Sequence, residues 1–332
     1  MQDPQKLIER FQSRVHVVDG GLATELEKRG HDISGKLWSA RVLLEAPGAI
    51  EQLHYDYLKA GADIIITSSY QLTFQGMKEA GYTHEQAEDA LWKSVEVAVK
   101  ARDRYLSELD EDLPEERKPL IAASIGPYGA YLADGSEYTG VYELERARAA
   151  SGVPSAPAQD NDLVLCLTSF HWKRVTLLAQ THADFIAFET IPTYDELVAI
   201  SNVMMEHNAP FWTTCTVAQP DRLRDDVLLA NGVALASSGP YAVAVGVNCS
   251  APPVVADAIR VLRETVDCPV VVYPNSGEGW DAEHRCWVGE NDADHFAEHA
   301  REWIKAGANI IGGCCRTGPE HIAQLRALVD SL

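Results

Sequence analysis

Short apolar runs rich in valine and isoleucine alternate with long helix-like stretches eight times along this chain of 332 residues. Such runs are typical of parallel strands buried on both faces, because helices cover both sides of a parallel sheet. Repeated strand–helix units predict an α/β fold, and eight units predict a closed (β/α)8 TIM barrel rather than an open sheet. The predicted strands are residues 15–18, 63–67, 120–124, 184–188, 211–216, 242–247, 269–273 and 309–311.

The stretches between the predicted strands have the amphipathic pattern of helices. Residues 45–60 place Ile50 and Leu53 on one apolar stripe, and residues 85–105 and 293–306 behave similarly. We therefore predict helices that pack their apolar faces against the outside of the sheet, as a barrel of this type requires.

Two stretches interrupt the alternation of strands and helices. A charged loop lies near residues 108–118, and a turn-forming segment rich in proline, serine and aspartate lies near 151–162. Neither half of the chain completes a sheet without the other. We therefore interpret both stretches as loop insertions in a single domain that covers residues 1–332.

The composition argues against several classes of function. No apolar run approaches the about 20 residues of a membrane helix, and the polar N-terminus lacks the apolar region of a signal peptide, which predicts a cytoplasmic location. The formal net charge of −21 argues against nucleic acid and anionic membranes as partners. Seven cysteines, an odd number, do not suggest a disulfide framework. We interpret four of them as inert buried residues: Cys166, Cys215, Cys268 and Cys286.

Polar and glycine-rich segments follow seven of the eight predicted strands. In a barrel of this type the chemistry takes place at the carboxyl ends of the strands, so these segments predict one shared site. Among their residues, Thr67 and Asn248 are candidates for substrate binding. The segments are Asp19-Gly20-Gly21, Thr67-Ser68-Ser69-Tyr70-Gln71, Gly126-Pro127-Tyr128-Gly129, Glu189-Thr190, Asn248-Cys249-Ser250, Tyr273-Pro274-Asn275-Ser276-Gly277 and Gly313-Cys314-Cys315.

Three of these strand-end residues are cysteines. Cys314 and Cys315 are adjacent and follow Gly312 and Gly313, while Cys249 follows the sixth predicted strand. Neighbouring side chains point to opposite faces of a strand, but two glycines free the backbone to turn, so that both sulfurs could reach one ion. Three thiolates with one open position are a catalytic Zn²⁺ pattern, and the open position can hold a substrate sulfur.

Two acids and two glycines at the same ends suggest how an amino acid could bind. Asp19 and Glu189 could hold a substrate ammonium, or they could cap a helix or form a salt bridge at the rim. Gly20 and Gly21 could lend backbone N–H groups to a carboxylate, or they could simply make a tight turn.

Six segments of the chain carry a resemblance to a known family: 19–26 (DGGLATEL), 37–40 (LWSA), 126–138 (GPYGAYLADGSEY), 247–249 (VNC), 273–278 (YPNSGE) and 312–317 (GGCCRT). On these segments nearly the whole chain resembles the homocysteine S-methyltransferases. The likeness is greatest to members that use S-methylmethionine or S-adenosylmethionine as methyl donor, and betaine–homocysteine methyltransferase is a more distant relative.

The resemblance implies a (β/α)8 barrel with one zinc ion held by Cys249, Cys314 and Cys315. It also implies that Asp19 and Glu189 bind the amino group of homocysteine.

The same resemblance implies that the amides of Gly20 and Gly21 meet the homocysteine carboxylate. Trp38 would lie on a mobile lid, although a plain apolar anchor explains this residue equally well. The segments 151–162 and 219–224 depart from the family pattern, so nothing is inferred from them about the donor pocket.

The predicted activity is therefore methyl transfer from a small sulfonium to the homocysteine thiolate, which yields methionine. Coordination by Zn²⁺ would keep the thiol deprotonated, and the sulfur would attack the donor methyl group in line. The aromatic residues Trp38, Tyr70 and Tyr128 could face the sulfonium through cation–π contacts, or merely wall the pocket. S-methylmethionine is favoured slightly over S-adenosylmethionine, because no glycine-rich nucleotide loop is present.

Two alternatives share the same residues. One is a methyltransferase that acts on selenocysteine or another thiol. The other is a non-catalytic zinc-binding or redox-sensing barrel, whose adjacent thiols form a disulfide. All expected partners are small molecules: homocysteine and one of the two sulfonium donors, with neither betaine nor a folate or cobalamin donor expected. The sequence makes no prediction of oligomeric state.

Overall fold

Eight parallel strands form one sheet in the computed structural model, which describes residues 1–33, 37, 39–153, 161–277, 279–281, 286–288 and 295–332. Every predicted strand is present, with its ends shifted by no more than three residues, so the prediction of eight parallel strands is confirmed. The strands are β1 (His16–Val17), β2 (Ile64–Ile66), β3 (Leu120–Ile125), β4 (Phe185–Ile191), β5 (Phe211–Cys215), β8 (Ala242–Asn248), β9 (Val270–Tyr273) and β12 (Ile310–Ile311).

The strand order in the sheet is β1-β12-β9-β8-β5-β4-β3-β2. Each barrel strand therefore lies beside the barrel strand that precedes or follows it in the chain, and β1 lies beside the last strand. His16 pairs with Ile310 and Val17 with Ile311, and a parallel bridge between Val18 and Ile64 brings the two ends of the sheet together. This arrangement is the predicted (β/α)8 barrel. Two short hairpins lie outside the barrel sheet: β6 (Val217–Gln219) with β7 (Arg222–Leu223), and β10 (Gly279–Asp281) with β11 (Cys286–Val288).

Helices follow the strands and cover the barrel. The predicted helix 45–60 is α4, which begins at Pro47 and buries Ile50 and Leu53, and a capping box between Thr83 and Gln86 starts α6. The helices are α1 (Pro4–Ser13), α2 (Leu22–Lys28), α3 (Ser39–Glu45), α4 (Pro47–Lys59), α5 (Phe74–Glu79), α6 (His84–Ser107), α7 (Tyr128–Leu132), α8 (Ser136–Thr139), α9 (Leu144–Ser151), α10 (Asp162–Leu178), α11 (Tyr194–Met205), α12 (Leu229–Ala236), α13 (Pro252–Thr265), α14 (Phe296–Ala306) and α15 (Pro319–Asp330).

The two predicted insertions differ in how much of them the structure describes. The charged stretch 108–118 connects α6 to β3 and contains one turn of 3₁₀ helix at Glu115–Arg117. Most of 151–162 lies outside the described residues, and its ends belong to α9 and α10. The division into one domain with two insertions stays a prediction.

The N-terminal helix α1 was not expected from the sequence. It buries Leu7 and Phe11 against the interior of the barrel, where the Phe11 ring lies 5.9 Å from that of Phe185 and 6.4 Å from that of Trp212. This helix therefore covers the amino-terminal end of the barrel, so that the carboxyl ends of the strands are left to form a pocket. None of the described helices is long and apolar enough to cross a membrane. The cytoplasmic location stays a prediction.

Candidate active site

A pocket lies at the carboxyl-terminal mouth of the barrel, where residues from the ends of seven of the eight barrel strands line it. Nine of the residues selected from the sequence are in its wall, and Trp38 lies outside the described residues. The nine are Asp19, Gly20, Gly21, Thr67, Glu189, Asn248, Cys249, Cys314 and Cys315.

The three strand-end cysteines converge in this pocket. The sulfur atoms of Cys249, Cys314 and Cys315 all lie within 4.8 Å of one another, and those of Cys249 and Cys315 are 4.0 Å apart. Sulfurs around a tetrahedral zinc ion lie about 3.8 Å apart, given a zinc–sulfur bond of about 2.3 Å. In this structure Cys249 and Cys314 are joined by a disulfide, with Cα atoms 5.6 Å apart. The same three side chains can therefore bind a metal or form a disulfide, since both need converging sulfurs.

Close packing, rather than an unusual turn, explains the two glycines before Cys314. Neither Gly312 nor Gly313 has a positive φ. A Cβ on Gly312 would lie 2.7 Å from the Val18 side chain, and one on Gly313 would collide with the Thr317 hydroxyl. The expectation that they free the backbone to turn is thus replaced by a steric reason. The chain that carries Cys314 passes too near its neighbours for any side chain at these positions.

The third cysteine has an unusual backbone conformation. Cys249 directly follows β8 with φ 45°, in the left-handed region that costs energy for a residue with a Cβ. Hydrogen bonds hold it there: its N–H donates to the Tyr273 carbonyl (3.2 Å), and its carbonyl accepts from the Thr216 hydroxyl (3.1 Å). The surrounding strands therefore fix the direction in which the Cys249 sulfur points.

Asp19 and Glu189 are both buried in the pocket wall, with 2% and 7% of their surface exposed. One carboxylate oxygen of Asp19 accepts from the Ile66 N–H (2.8 Å), and Glu189 accepts from the Ser124 hydroxyl. Burial raises the pKa of Asp19 well above its usual value, and the negative charge of Glu189 adds to this effect. Burial likewise raises the pKa of Glu189 to about 7.

The two structural alternatives for these acids are not observed. Among the described residues, neither Asp19 nor Glu189 forms an ion pair, and the N-cap of α2 is Gly21 rather than Asp19. A buried carboxylate without a cation is costly, so both side chains are suited to receive a positively charged ligand.

At the two glycines after β1, other parts of the backbone pass too close to leave room for a side chain. A Cβ on Gly20 would collide with the Thr317 carbonyl, and one on Gly21 with the Cys314 carbonyl. The Gly21 N–H donates to the Thr317 carbonyl (2.8 Å) and lies 3.2 Å from the Thr317 hydroxyl. This amide is therefore already used, which counts against the expected role of Gly21 as a donor to a carboxylate.

The side chains of Thr67 and Asn248 also form hydrogen bonds within the protein. The Thr67 hydroxyl accepts from the Ser124 N–H (3.0 Å) and contacts the Ser69 hydroxyl. The Asn248 side chain accepts from the Thr190 N–H (2.8 Å) and donates to the Thr190 hydroxyl (2.9 Å). Thr190 has a φ of 61°, so Asn248 supports a strained residue next to Glu189. Both side chains therefore hold neighbouring residues of the pocket wall in position.

Strand-end reasoning missed one acid and misplaced one aromatic residue. Glu137 lines the pocket from α8, the second helix after β3. It is therefore too far from the strand end for the sequence pattern at strand ends to indicate it. Tyr70 lines the pocket as well, whereas Tyr128 packs in a separate cluster with Phe170 and Tyr142. Tyr128 is thus not among the residues that line this pocket, either to contact the sulfonium or to form the wall. Of the four cysteines interpreted as inert, Cys166 and Cys215 are buried and Cys268 half-buried, and the side chain of Cys286 lies outside the described residues.

The family model described as "Homocysteine S-methyltransferase" matches residues 16–329. The chain belongs to this family. A similar relative is "Homocysteine S-methyltransferase 2" of Zea mays, which is 42% identical over 320 residues, 95% of this chain and 89% of the relative. "Selenocysteine Se-methyltransferase" of Brassica oleracea var. italica is 39% identical over 319 residues, 93% of this chain and 87% of the relative.

A solved structure supports the same conclusion. The metallated form of the homocysteine methyltransferase MmuM from Escherichia coli superposes with a TM-score of 0.81 at 37% sequence identity, and the match covers 98% of this chain and 99% of that one. The barrel fold and the assignment as a methyltransferase enzyme, both predicted from the sequence, are therefore confirmed.

Proposed function

We propose that this protein is a zinc-dependent homocysteine S-methyltransferase that takes the methyl group from a sulfonium donor, S-methylmethionine or S-adenosylmethionine, and forms methionine. The observation that carries the proposal is the meeting of three cysteine sulfurs with two buried, unpaired acids in one pocket. A thiol substrate that also carries an ammonium group fits both halves of this site.

The donor set fits zinc. Cys249, Cys314 and Cys315 would hold the ion through three sulfurs, which leaves one tetrahedral position open. When bound, zinc would supply the positive charge that keeps the sulfur of homocysteine deprotonated at neutral pH. The metal in the related structure is named only as a metallated form, so zinc is proposed from the sulfur ligands themselves.

The two acids would bind the other end of homocysteine. Asp19 and Glu189 would accept hydrogen bonds from its ammonium group, and the gained cation would compensate the burial that raises the pKa of each. Held at both ends, the acceptor sulfur would have one orientation toward the donor. This positioning is the main contribution of the chain, because the transfer needs no general base at the methyl group.

The donor would be a small sulfonium, with S-methylmethionine ahead of S-adenosylmethionine. The transfer converts a thiolate and a sulfonium into two neutral thioethers, and a largely dry pocket favours the loss of charge. Tyr70, which is half-buried and lines the pocket, would offer its ring to the sulfonium for a cation–π contact. A selenol is the second candidate acceptor, since one relative is named as a selenocysteine methyltransferase.

The test is a set of parallel reactions. The purified, reduced and zinc-loaded protein is incubated with homocysteine and, separately, S-methylmethionine, S-adenosylmethionine or betaine, and methionine is measured together with zinc per chain. We expect one zinc per chain and methionine from the sulfonium donors. A parallel reaction with selenocysteine in place of homocysteine should give its Se-methyl product. Turnover with betaine alone would contradict the proposed donor. Zinc binding without any turnover would indicate the non-catalytic barrel.

A further inference from the structure

Glu137 is a third buried acid in the pocket wall. It is 6% exposed, and its Oε2 atom is buried without a hydrogen-bond partner. Within the described part of the chain no arginine, lysine or histidine forms an ion pair with it. A buried carboxyl group is costly when it has no cation and one of its oxygens has no donor. Its position in the substrate pocket suggests that a ligand completes it.

The backbone around Glu137 is built to hold it in place. Gly129 in α7 admits the segment, because a Cβ at that position would collide with the Glu137 backbone nitrogen. The Asp134 carboxylate accepts from the Ser136 N–H (3.1 Å) and the Ser136 hydroxyl, and it pairs with Arg146 at 2.7 Å. The turn that carries Glu137 is therefore fixed, while Oε2 of its carboxyl group keeps no hydrogen-bond partner.

Glu137 reaches the pocket from a different part of the chain than the two acids already discussed. It lies in α8, in the segment after β3, whereas Asp19 follows β1 and Glu189 lies in β4. The charges of Glu137 and Glu189 both raise the pKa of Tyr70, which lines the same pocket. Glu137 is therefore a third acid of this pocket, carried by a segment of its own.

The charges of the two substrates distinguish the possible roles of this acid. Homocysteine carries one ammonium group, which the Asp19–Glu189 pair would bind. Each sulfonium donor carries an α-ammonium group of its own, in addition to the positive charge on its sulfur. A sulfonium has no N–H to offer Oε2, and a carboxylate beside it would favour the ground state, since its charge disappears during the reaction.

We propose that Glu137 binds the α-ammonium group of the sulfonium donor and so selects donors that carry an amino-acid end. This inference rests on the proposed function, of which it names the donor subsite. Glu137 is thus a specificity-determining residue of the pocket, and it takes no part in the transfer of the methyl group itself.

The test uses Glu137→Gln in the zinc-loaded, full-length protein, because glutamine keeps the size but loses the charge. We expect the KM for S-methylmethionine to rise about 10- to 100-fold, as for a lost hydrogen bond to a charged group, with kcat changed by less than about threefold. The KM for homocysteine and the zinc content stay unchanged. Glu143→Gln, an exposed acid six residues further on, is the matched control and should behave like the wild type.

A donor without an amino group distinguishes the loss of a contact with the donor ammonium from a general distortion of the pocket. With a dimethyl alkyl sulfonium, wild type and Glu137→Gln should have equal KM values, because no ammonium is present to lose its partner. An unchanged KM for S-methylmethionine, an equal loss with both donors, or a raised KM for homocysteine would each overturn the inference.

A binding measurement without turnover tests this inference independently of the proposed function. Calorimetry measures the affinity of S-methylmethionine for the wild type and for Glu137→Gln without any turnover. If the wild type makes no methionine, the proposed function fails, while an affinity at least tenfold weaker in the variant would still support the subsite. Equal affinities, or no binding to the wild type, would overturn it.

Discussion

The acids at the two ends of the barrel differ in whether a cation pairs with them. At the amino-terminal end, Asp63 accepts from both Arg14 amino groups at 2.6 and 3.1 Å, and from Arg326 at 3.2 Å. Asp184 likewise pairs with Arg102 at 3.0 Å. At the carboxyl-terminal mouth, the described acids that line the pocket have no such cation.

The pKa values follow this difference. Burial alone would raise the pKa of Asp63, but its hydrogen bonds and ion pair with Arg14 outweigh burial and lower the value. At the mouth the hydrogen bonds from Ser124 and Tyr273 to Glu189 offset burial only in part, no cation adds to them, and the pKa of Glu189 rises to about 7. The amino-terminal end is therefore arranged for stability, and the mouth keeps an unfavourable charge arrangement that a cationic ligand would relieve.

The largest expected effect comes from removing a sulfur at the mouth. Cys314→Ala should abolish zinc binding and lower kcat/KM more than about 10³-fold, because the charge that activates the thiol is lost. Zinc per chain and methionine formation are measured under reducing conditions. The control is Cys268→Ala, which changes a half-buried cysteine just before β9 at the other end. Full zinc and full activity in Cys314→Ala would refute the assignment of the ligands.

A change at the amino-terminal end should affect stability instead. Asp63→Asn leaves two partly buried arginines without their carboxylate, which should lower the free energy of unfolding by about 3 kcal/mol. The kcat/KM of the folded enzyme should stay within about twofold, because this residue lies at the end of the barrel away from the pocket. Denaturant unfolding and steady-state kinetics are the two measurements. A large change in the KM for either substrate would break the distinction between the two ends.

A change at Glu189 should combine weaker substrate binding with greater stability. Glu189→Gln should weaken homocysteine binding about 10- to 100-fold while zinc stays bound. In the wild type without substrate, the folded state keeps the Glu189 proton up to about pH 7, whereas the unfolded chain loses it near the ordinary value of 4.5. Between these values the unfolding free energy should therefore fall as the pH rises, by about 1.4 kcal/mol per pH unit for this group.

The variant should not show that decrease, so it should be more stable than the wild type at pH 8. Asp63, whose pKa is lowered, contributes in the opposite direction: its stabilisation is present at neutral pH and is lost as the pH falls through its folded pKa. Unfolding curves from about pH 2 to pH 8 check both signs, because the stabilisation by Asp63 is lost only below its ordinary pKa of 3.8. A Glu189→Gln protein that is less stable than the wild type at pH 8 would mean that this acid supports the fold.

Much of the architecture could be predicted because it depends on local periodicity. The eight strands are short runs of apolar residues, and their buried faces require that pattern wherever the chain places them. The helix α1 escaped prediction because its contacts with Phe185 and Trp212 join residues far apart in the chain. Glu137 escaped for a related reason, since its place in the pocket depends on how α7 packs against α8 through Gly129.

The sequence by itself determined the barrel, the three cysteines that follow two of its strands, and the acids near the ends of β1 and β4. Those features follow from residue type and strand order, which set the end of the barrel at which each side chain appears. Only the tertiary structure decided which polar groups are already satisfied. It showed that the Gly21 amide and the Asn248 side chain are bonded within the protein, whereas Glu137 keeps a buried oxygen without a partner. Hydrogen-bond satisfaction depends on distances between residues remote in the chain, and these distances exist only once the barrel has closed.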